Sequence, residues 1–294
     1  MPARFRRQRV LLVGCGDVGV RVAKLLRPRM RLLALTSSPA RLGELRALGV
    51  TPLLGNLDQP GSLRRLSGLA NQVIHLAPPP NAGEADPRTQ ALLHVLRRRT
   101  PAQALVYGST SGVYGDCQGE VTTETRATHA LTARARRRIY AEKSVRHFGR
   151  ASGVRTSILR IPGIYAPDRE GGTPHARLLK GTPVLQPQDD VFTNHIHADD
   201  LARACVAALW RGRSGRVFNA NDDTCMKMGD YFDWAADVYG LPHPPRVSRE
   251  AAQSQLPAMM LSFMGESRRM DNTRLKKELR LTLRYPTVQQ GLPG

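Results

Sequence analysis

The sequence predicts an α/β fold, in which a doubly wound, mostly parallel sheet carries helices on both faces. Short apolar runs alternate with amphipathic helical runs through the first 165 of the 294 residues. Such alternation favours parallel strands joined by crossover helices. A glycine-rich turn, Gly14–Gly19, also links the first apolar run to the first helical run. The rest of the chain is expected to add a smaller C-terminal lobe.

The predicted elements follow one another in a regular order. The strand-like runs are Arg9–Val13, Arg31–Thr36, Val50–Leu54, Gln72–Leu76, Ala104–Tyr107 and Thr156–Ile161. Helical periodicity marks Gly19–Leu26, Arg41–Leu48, Leu63–Leu66, Thr89–Arg99, Ala133–Phe148, Leu201–Trp210, Tyr231–Tyr239 and Asn272–Leu279. Because ligands of open α/β sheets bind beyond the carboxyl ends of the strands, residues that follow each strand are the candidates for a site.

The glycine-rich turn has the Gly-x-Gly-x-x-Gly spacing of a dinucleotide-binding turn. Gly14 suits the tight turn, Gly16 lets a pyrophosphate approach the main chain, and Gly19 lets the helix pack closely on the strand. Asp17 and Val18 open a helix whose N-terminus presents free N–H groups and partial positive charge to phosphates. The turn therefore predicts a Rossmann sheet with a dinucleotide cofactor. The alternative interpretation is an ordinary glycine-rich turn between a strand and a helix.

The end of the second predicted strand favours NADP over NAD. An NAD site usually places an acidic residue there, to bind the ribose 2′-hydroxyl. Here the chain has Thr36, Ser37 and Ser38, and its first acid comes later, at Glu44. The hydroxyls and the guanidinium of Arg41 can instead receive a 2′-phosphate. The alternative is that Arg41 is a solvated residue in the first turn of a helix.

The charge of the chain is strongly basic, with 44 Lys and Arg against 24 Asp and Glu and a formal net charge of +20. The basic residues are spread through every segment, and no helix-turn-helix, zinc-finger or aromatic RNA-binding motif accompanies them. We therefore expect no specific nucleic-acid partner. The charge instead favours an anionic small-molecule substrate and cofactor.

The cysteine pattern and the hydropathy indicate a cytoplasmic protein. The 4 cysteines show no C-x-x-C spacing, which favours a reduced compartment. No apolar run approaches the roughly 18 residues of a membrane span, so no membrane partner is expected. The basic segment Met1–Arg9 precedes an apolar run that is too short for a signal peptide.

Five motifs, in order along nearly the whole chain, resemble the extended short-chain dehydrogenase/reductases, the NAD-dependent epimerase/dehydratase family. They are Val73–Pro80, Ser109–Asp116, Leu159–Pro167, Asn194–Ala202 and Val217–Ala220. The resemblance implies redox or epimerase/dehydratase-like chemistry on a hydroxyl or carbonyl group. A nucleotide sugar is one candidate substrate, and a homodimer is compatible with the resemblance.

The resemblance also implies a cofactor lining and a division into lobes. It places Asn56 and Leu57 near the adenine, although the family usually has Asp where Asn56 stands. Further lining residues are Leu76, Ala77, Pro78 and Pro162. Residues 1–165, joined by 190–220, are expected to form the cofactor domain. Residues 166–189 and 221–294 are expected to form the smaller substrate lobe.

The catalytic set that the resemblance implies is a Ser or Thr followed by Tyr-x-x-x-Lys on a helix. Thr110 fills the hydroxyl position, with Ser109 beside it. The tyrosine motif is absent, because Tyr140-Ala-Glu-Lys143 has one residue too few between its ends. Tyr140 is therefore expected to face away from the site. Any activity must then use a non-standard set of residues.

The register of the helix assigns arginines to both empty positions. The family helix usually carries a Glu four residues after the catalytic lysine, and Glu142 fits it. Counting back puts Arg138 in the lysine position and Arg134 in the tyrosine position. Arginine does not donate a proton at neutral pH, because its pKa exceeds ~12. A pocket arginine instead favours an anionic substrate.

Two further questions stay open at this point. Another group must supply the proton, with Tyr114, Tyr165 and His75 as candidates. Otherwise the protein is a non-catalytic NADP(H) sensor that acts through a protein partner. His195-x-His197 could hold a metal ion, but a strand end with Asp199 or Asp200 capping the next helix is favoured, so no metal is expected.

Overall fold

The computed structural model describes residues 8–292. Most of the basic N-terminal segment, and with it the start of the expected cofactor domain, lies outside the described residues. Seven parallel strands form the central sheet in the order β7-β6-β5-β4-β1-β2-β3. They are β1 Arg9–Val13, β2 Arg31–Thr36, β3 Thr51–Leu54, β4 Gln72–His75, β5 Ala104–Thr110, β6 Arg155–Ile161 and β7 Arg216–Asn219. The predicted doubly wound α/β class is confirmed.

The helices lie between the strands of the sheet and in the C-terminal part of the chain. They are α1 Asp17–Leu26, α2 Arg41–Ala47, α3 Pro87–Leu96, α4 Ala133–Ser152, α5 His175–Leu179, α6 Ala198–Arg211, α7 Met228–Tyr239, α8 Arg249–Gln255, α9 Ala258–Met264, α10 Thr273–Glu278 and α11 Val288–Gly291. Two 3₁₀ segments cover Pro60–Leu66 and Ser111–Tyr114. The helix α1 begins at Asp17, directly after Gly16, two residues before the periodic run Gly19–Leu26.

The apolar runs of the sequence are buried on both faces of the sheet. In β1, Val10 and Leu12 join the core beneath α1 and α6, whereas Leu11 and Val13 join the core beneath α3 and α4. Successive side chains of a strand point to opposite faces, so a strand covered on both sides must be apolar throughout. This requirement explains why the strands were visible as continuous apolar runs.

A third apolar core lies outside the sheet and is built from later segments. Leu178, Val191, Phe232, Met264 and Val288 belong to it. Short strand pairs brace this part of the chain. They are Gly163–Tyr165 with His195–His197, Val184–Leu185 with Arg246–Val247, Phe192–Thr193 with Met226–Lys227, and Val121–Thr122 with Arg269–Met270. The proposed boundaries between the two lobes stay a prediction.

The start of α6 differs from the expectation. His197, not Asp199 or Asp200, is the N-cap, and its Nδ1 accepts the main-chain N–H of Asp199 at 3.2 Å. The carboxylate of Asp200 is fully buried and accepts the main-chain N–H groups of Arg284 and Tyr285, at 2.8–3.0 Å. Asp200 therefore fixes a distant segment of the chain, a contact that helix-capping patterns do not reveal.

No helix within residues 8–292 is long and apolar enough to cross a membrane.

Candidate functional site

The glycine turn between β1 and α1 has the geometry of a phosphate cradle. Gly14 has φ of +90°, and a Cβ there would lie 2.3 Å from the nitrogen of Ala77. A Cβ on Gly19 would lie 2.8 Å from the oxygen of Gly14. A Cβ on Gly16 would meet nothing within 4 Å. Two of the glycines are thus required by packing, and the third faces open space where α1 begins.

The loop after β4 forms the opposite wall of this cradle. The main-chain N–H groups of Leu76 and Ala77 both donate to the oxygen of Val13, at 2.7 and 3.0 Å. The oxygen of Pro78 accepts from Arg88 at 3.3 Å, and the guanidinium of Arg88 also binds Asp58. The end of β1, the loop after β4 and the loop after β3 are therefore tied together.

At the start of α1, Asp17 forms ion pairs, whereas Val18 packs against the core. Asp17 pairs with the guanidinium of Arg21 at 3.2 Å and lies 3.3 Å from that of Arg169. Arg21 also binds Asp199 on α6 at 2.6 Å. Val18 packs partly buried against the core beneath α1. Because Arg21 also pairs with Asp168 and Asp199, the two guanidinium groups offset the charge of Asp17 only in part, and its repulsion of a phosphate at the turn is reduced but not removed.

The polar residues after β2 lie beside the glycine turn. Arg41 donates to the main-chain oxygen of Cys15 at 2.7 Å and to the carboxylate of Glu44 at 3.1–3.2 Å. The hydrogen bonds that Arg41 donates to Glu44 raise the pKa of Arg41. Thr36 Oγ1 accepts the N–H of Ser38 at 3.2 Å, while Ser37 is exposed. The structure thus brings Arg41 to the turn itself.

The remaining cofactor candidates line the same edge of the sheet. Asn56 accepts the N–H of Asp58 through its side chain at 2.9 Å, and Leu57 packs against the core beneath α3. Pro162 is half-buried where β6 ends. All of these residues follow the carboxyl ends of strands, where ligands of such sheets bind.

The hydroxyl groups at the end of β5 have different environments. Thr110 is half-buried and accepts the N–H of Gly112 at 3.3 Å. Ser109, expected beside it as a second candidate, is buried and donates to Glu142 at 2.7 Å. Its hydroxyl therefore anchors α4 to the sheet and is not available to a substrate. Thr110 remains the candidate that can orient a substrate oxygen.

The three candidate proton donors are all buried. The hydroxyl of Tyr114 donates to Asn219 at 2.6 Å, and burial raises the pKa of this tyrosine. Tyr165 is 3% exposed and donates to a main-chain oxygen at 3.1 Å. His75 contacts Thr89 at 2.9 Å, and burial lowers its pKa to about 3. The structure gives each of these residues a hydrogen bond within the protein.

Arg138 of α4 contacts β5, and Arg134 lies about one turn earlier on the same helix. Arg138 donates to the oxygen of Gly108 at 2.7 Å. Arg134 keeps part of its surface exposed, and its Cζ lies 5.0 Å from the centre of the Phe263 ring. Within the described chain, no carboxylate lies within 4 Å of either guanidinium. Partial burial, followed by the charge of Arg138, lowers the pKa of Arg134.

The first turn of α4 is unusually positive. It holds no acidic residue, and Arg134, Arg136 and Arg137 lie at the end of the helix that carries partial positive charge. Arg136 pairs with Glu84 at 2.9 Å, whereas Arg137 is buried and donates to a main-chain oxygen. Cations are unfavourable at a helix N-terminus, so this corner attracts anions.

Tyr140 lies where the helix register predicted. Its hydroxyl contacts the side chain of Gln90 on α3, on the face of α4 away from Arg134.

The sequence did not reveal Phe263, which covers Arg134, or the anchoring role of Glu142. Phe263 belongs to α9, and a sequence pattern does not show where so short a helix packs.

His195 and His197 are both buried, and His195 Nε2 has no hydrogen-bond partner in the described part of the chain. No cluster of three or more potential metal ligands occurs among residues 8–292.

Comparisons with solved structures agree with this fold. A conserved protein of unknown function from Silicibacter pomeroyi is 29% identical, with a TM-score of 0.82 and coverage of 97% of this chain and 96% of that one. UDP-glucose 4-epimerase from Thermotoga maritima, solved with UDP-glucose, is 18% identical, with a TM-score of 0.78 and 96% of each chain covered.

A third solved structure is a dTDP-glucose 4,6-dehydratase from Streptomyces venezuelae with NAD bound. It is 20% identical, with a TM-score of 0.77 and coverage of 96% of this chain and 94% of that one. No curated protein sequence matches the chain. The family model described as the NAD-dependent epimerase/dehydratase family matches residues 16–220, which is more than half of the chain. The chain therefore belongs to the NAD-dependent epimerase/dehydratase family.

Proposed function

We propose that this protein binds NADP(H) and uses it for redox or isomerase chemistry on a hydroxyl or carbonyl carbon of an anionic substrate. The observation that carries the proposal is the open space at Gly16 beside two glycines that packing requires. This space can hold a pyrophosphate that accepts hydrogen bonds from the main-chain N–H groups of α1, and a side chain on Gly16 would fill it. When bound, the nicotinamide ring supplies or accepts a hydride.

The preference for NADP over NAD is supported by Arg41. Its guanidinium lies at the glycine turn, bonded to Cys15, and no acidic residue stands at the end of β2. A 2′-phosphate there would compete with Glu44 for the same guanidinium. Because a phosphate carries more charge than a carboxylate and offers three acceptor oxygens, we expect it to draw Arg41 away from Glu44.

The substrate is proposed to lie between Thr110 and Arg134. Thr110 donates to the substrate oxygen and orients the reacting carbon. Arg134 binds an anionic group of the substrate, because its guanidinium has no carboxylate partner among residues 8–292 and lies at the positive end of α4. Arg138, held by Gly108, keeps the same corner positive. Nucleotide sugars, such as the UDP-glucose bound by the Thermotoga maritima relative, are one substrate class that meets this requirement.

The burial of Tyr114, Tyr165 and His75 leaves water as the proposed proton source. Loss of a positioned acid typically costs about 10²–10⁴ in rate. We therefore expect slow turnover, with no limb in the pH–rate profile that belongs to a catalytic tyrosine.

The same burial favours a second candidate function, a non-catalytic sensor of NADP(H) that acts through a protein partner. A sensor needs the cofactor cradle and no proton donor. It predicts saturable NADP(H) binding without any hydride transfer.

A turnover assay tests both candidates. Oxidation of NADPH is followed with carbonyl compounds supplied as matched pairs, with and without a carboxylate or phosphate group. The enzyme proposal predicts turnover of the anionic member of a pair. It also predicts a raised KM in Arg134→Gln but not in the control Arg136→Gln. Binding without turnover of any pair supports the sensor, and absence of both binding and turnover contradicts the proposal.

A further inference from the structure

A second cleft, here called the edge cleft, lies beside the edge strand β7 and away from the glycine turn. It has a volume of about 500 Å³. Its walls are the segment 124–128 with Arg146 of α4 on one side, and Gly215 to Val217 with Arg274 of α10 on the other. Strands β1 and β7 are four strands apart in the sheet, which separates the edge cleft from the cofactor cradle by roughly 19 Å.

The lining of the edge cleft is dominated by guanidinium groups. Those that line it belong to Arg126, Arg146, Arg160, Arg216 and Arg274. Only one carboxylate, that of Glu124, lines it with them among the residues that the structure describes. Thr125 and Thr128 add hydroxyl groups, and no aromatic side chain of the described chain lines the cleft. The lining therefore offers charge and hydrogen bonds, and no surface on which a base could stack.

The neighbouring carboxylates do not offset this charge in full. Arg146 and Arg160 share a single carboxylate, Glu142, at 3.0 and 2.9 Å. Arg126 pairs with Glu120 at 2.6 Å in an exposed position. Arg274 lies 3.5 Å from Glu124 and 3.8 Å from Glu278. Arg216 also pairs with Glu278, so four carboxylates face the five arginines. An exposed pair contributes little, so Arg126 can exchange its partner for a ligand at small cost.

The guanidinium of Arg160 includes a buried N–H donor that lacks a hydrogen-bond acceptor among the described residues. Its side chain is 2% exposed, and its Nε and Nη2 donate to Glu142 at 3.1 and 2.9 Å. Its Nη1 is buried and has no hydrogen-bond partner in residues 8–292, while the guanidinium lies over the ring of Tyr114, with Cζ 4.6 Å from the ring centre. A buried N–H group of a cation without an acceptor is costly. An anion seated on Arg160 within the edge cleft removes that cost.

We propose that the edge cleft binds a small polyanion through its phosphate groups. Phosphate oxygens match the fork of guanidinium donors, and several arginines facing one cleft favour a ligand with more than one negative charge. The site is independent of the cofactor cradle and of the proposed activity.

Calorimetric titration of pyrophosphate tests this proposal on the full chain. The background is Gly16→Val, which blocks the cofactor cradle as a competing phosphate site. One variant in this background carries Arg126→Ala and Arg146→Ala. The matched control carries Arg64→Ala and Arg150→Ala, which remove two exposed arginines outside the cleft. Both variants lose the same net charge.

We expect one saturable site, weakened at least about tenfold in the cleft variant and less than about twofold in the control, since charge-assisted hydrogen bonds are lost only in the former. Equal weakening in both variants, or no saturable binding in the background protein, overturns the proposal. Should the cleft variant fail to fold, Arg126→Glu alone removes an exposed side chain and must give the same loss.

Discussion

Replacing Gly16 with valine separates the function of the glycine turn from its structure. The backbone of Gly16 has φ of −78° and ψ of −156°, an extended conformation that valine adopts readily. An added Cβ meets no atom within 4 Å. The two neighbouring glycines of the motif do not have this freedom. The substitution should therefore leave the fold intact while it fills the space proposed for the pyrophosphate.

The size of both effects follows from the position of Gly16 as the N-cap of α1. Glycine is a better N-cap than valine by up to about 1 kcal/mol, and the reduced freedom of the unfolded chain offsets part of this loss. We therefore expect Tm to change by no more than about 2–4 °C. Exclusion of a phosphate from two main-chain N–H groups removes about 3–6 kcal/mol of binding, or a factor of about 10²–10⁴ in Kd.

Thermal denaturation and NADP titration of three variants provide the assay. Gly43→Val is the matched control, because Gly43 lies exposed in α2 and a Cβ there also meets nothing within 4 Å. It should keep both Tm and NADP affinity. Gly14→Ala should lower Tm strongly, since its Cβ would lie 2.3 Å from the nitrogen of Ala77. Unchanged NADP affinity in folded Gly16→Val would refute the placement of the phosphates.

Three other substitutions test separate parts of the account. Arg41→Ala should weaken NADP binding by about tenfold to a hundredfold and leave NAD binding within about twofold, as measured by thermal shift; equal losses would contradict the 2′-phosphate assignment. Tyr140→Phe should change any turnover by less than about twofold, because Tyr140 contacts α3; a thousandfold loss would show that the helix register is misassigned. Asp222→Asn tests a pH effect, because burial raises the pKa of Asp222 to about 7. The folded protein then keeps a proton that the unfolded chain releases near pH 4, so the contribution of this carboxyl to stability falls as the pH rises from about 4 to 7. The decrease in Tm from pH 5 to pH 8 should be smaller in Asp222→Asn than in the parent, and identical decreases would contradict that cause.

The inner strands of the sheet could be predicted because they are covered on both faces, unlike the edge strand β3. Burial on both faces requires apolar residues at successive positions, so β1 and β2 are recognisable as nearly continuous apolar runs. The glycine turn that starts at Gly14 shows where the first helix begins. The ends of elements were less visible. Strand β5 continues to Thr110 because its pairing with β6 extends to the pair of Thr110 with Ile161, and the polar side chains of Ser109 and Thr110 hide this end of the strand in the sequence.

The candidate site was predictable where it rests on local backbone geometry, as at Gly14 and Gly16. It was not predictable where it depends on packing between distant segments. In the sequence, Ser109 is a candidate for a second catalytic hydroxyl. In the structure, this hydroxyl donates a hydrogen bond to the buried carboxylate of Glu142. Tyr114 likewise sits in a motif near the site, but its hydroxyl points to Asn219, 105 residues away along the chain. Residue type and spacing do not specify such partners.

The central claim is that a nicotinamide coenzyme binds at the open space beside Gly16. Isothermal titration calorimetry of the unmodified, folded chain with NADP⁺, NADPH, NAD⁺ and NADH tests it most directly. The account predicts saturable one-site binding, tighter for the two phosphorylated coenzymes. Absence of heat with all four coenzymes, on protein that still unfolds cooperatively, would contradict it.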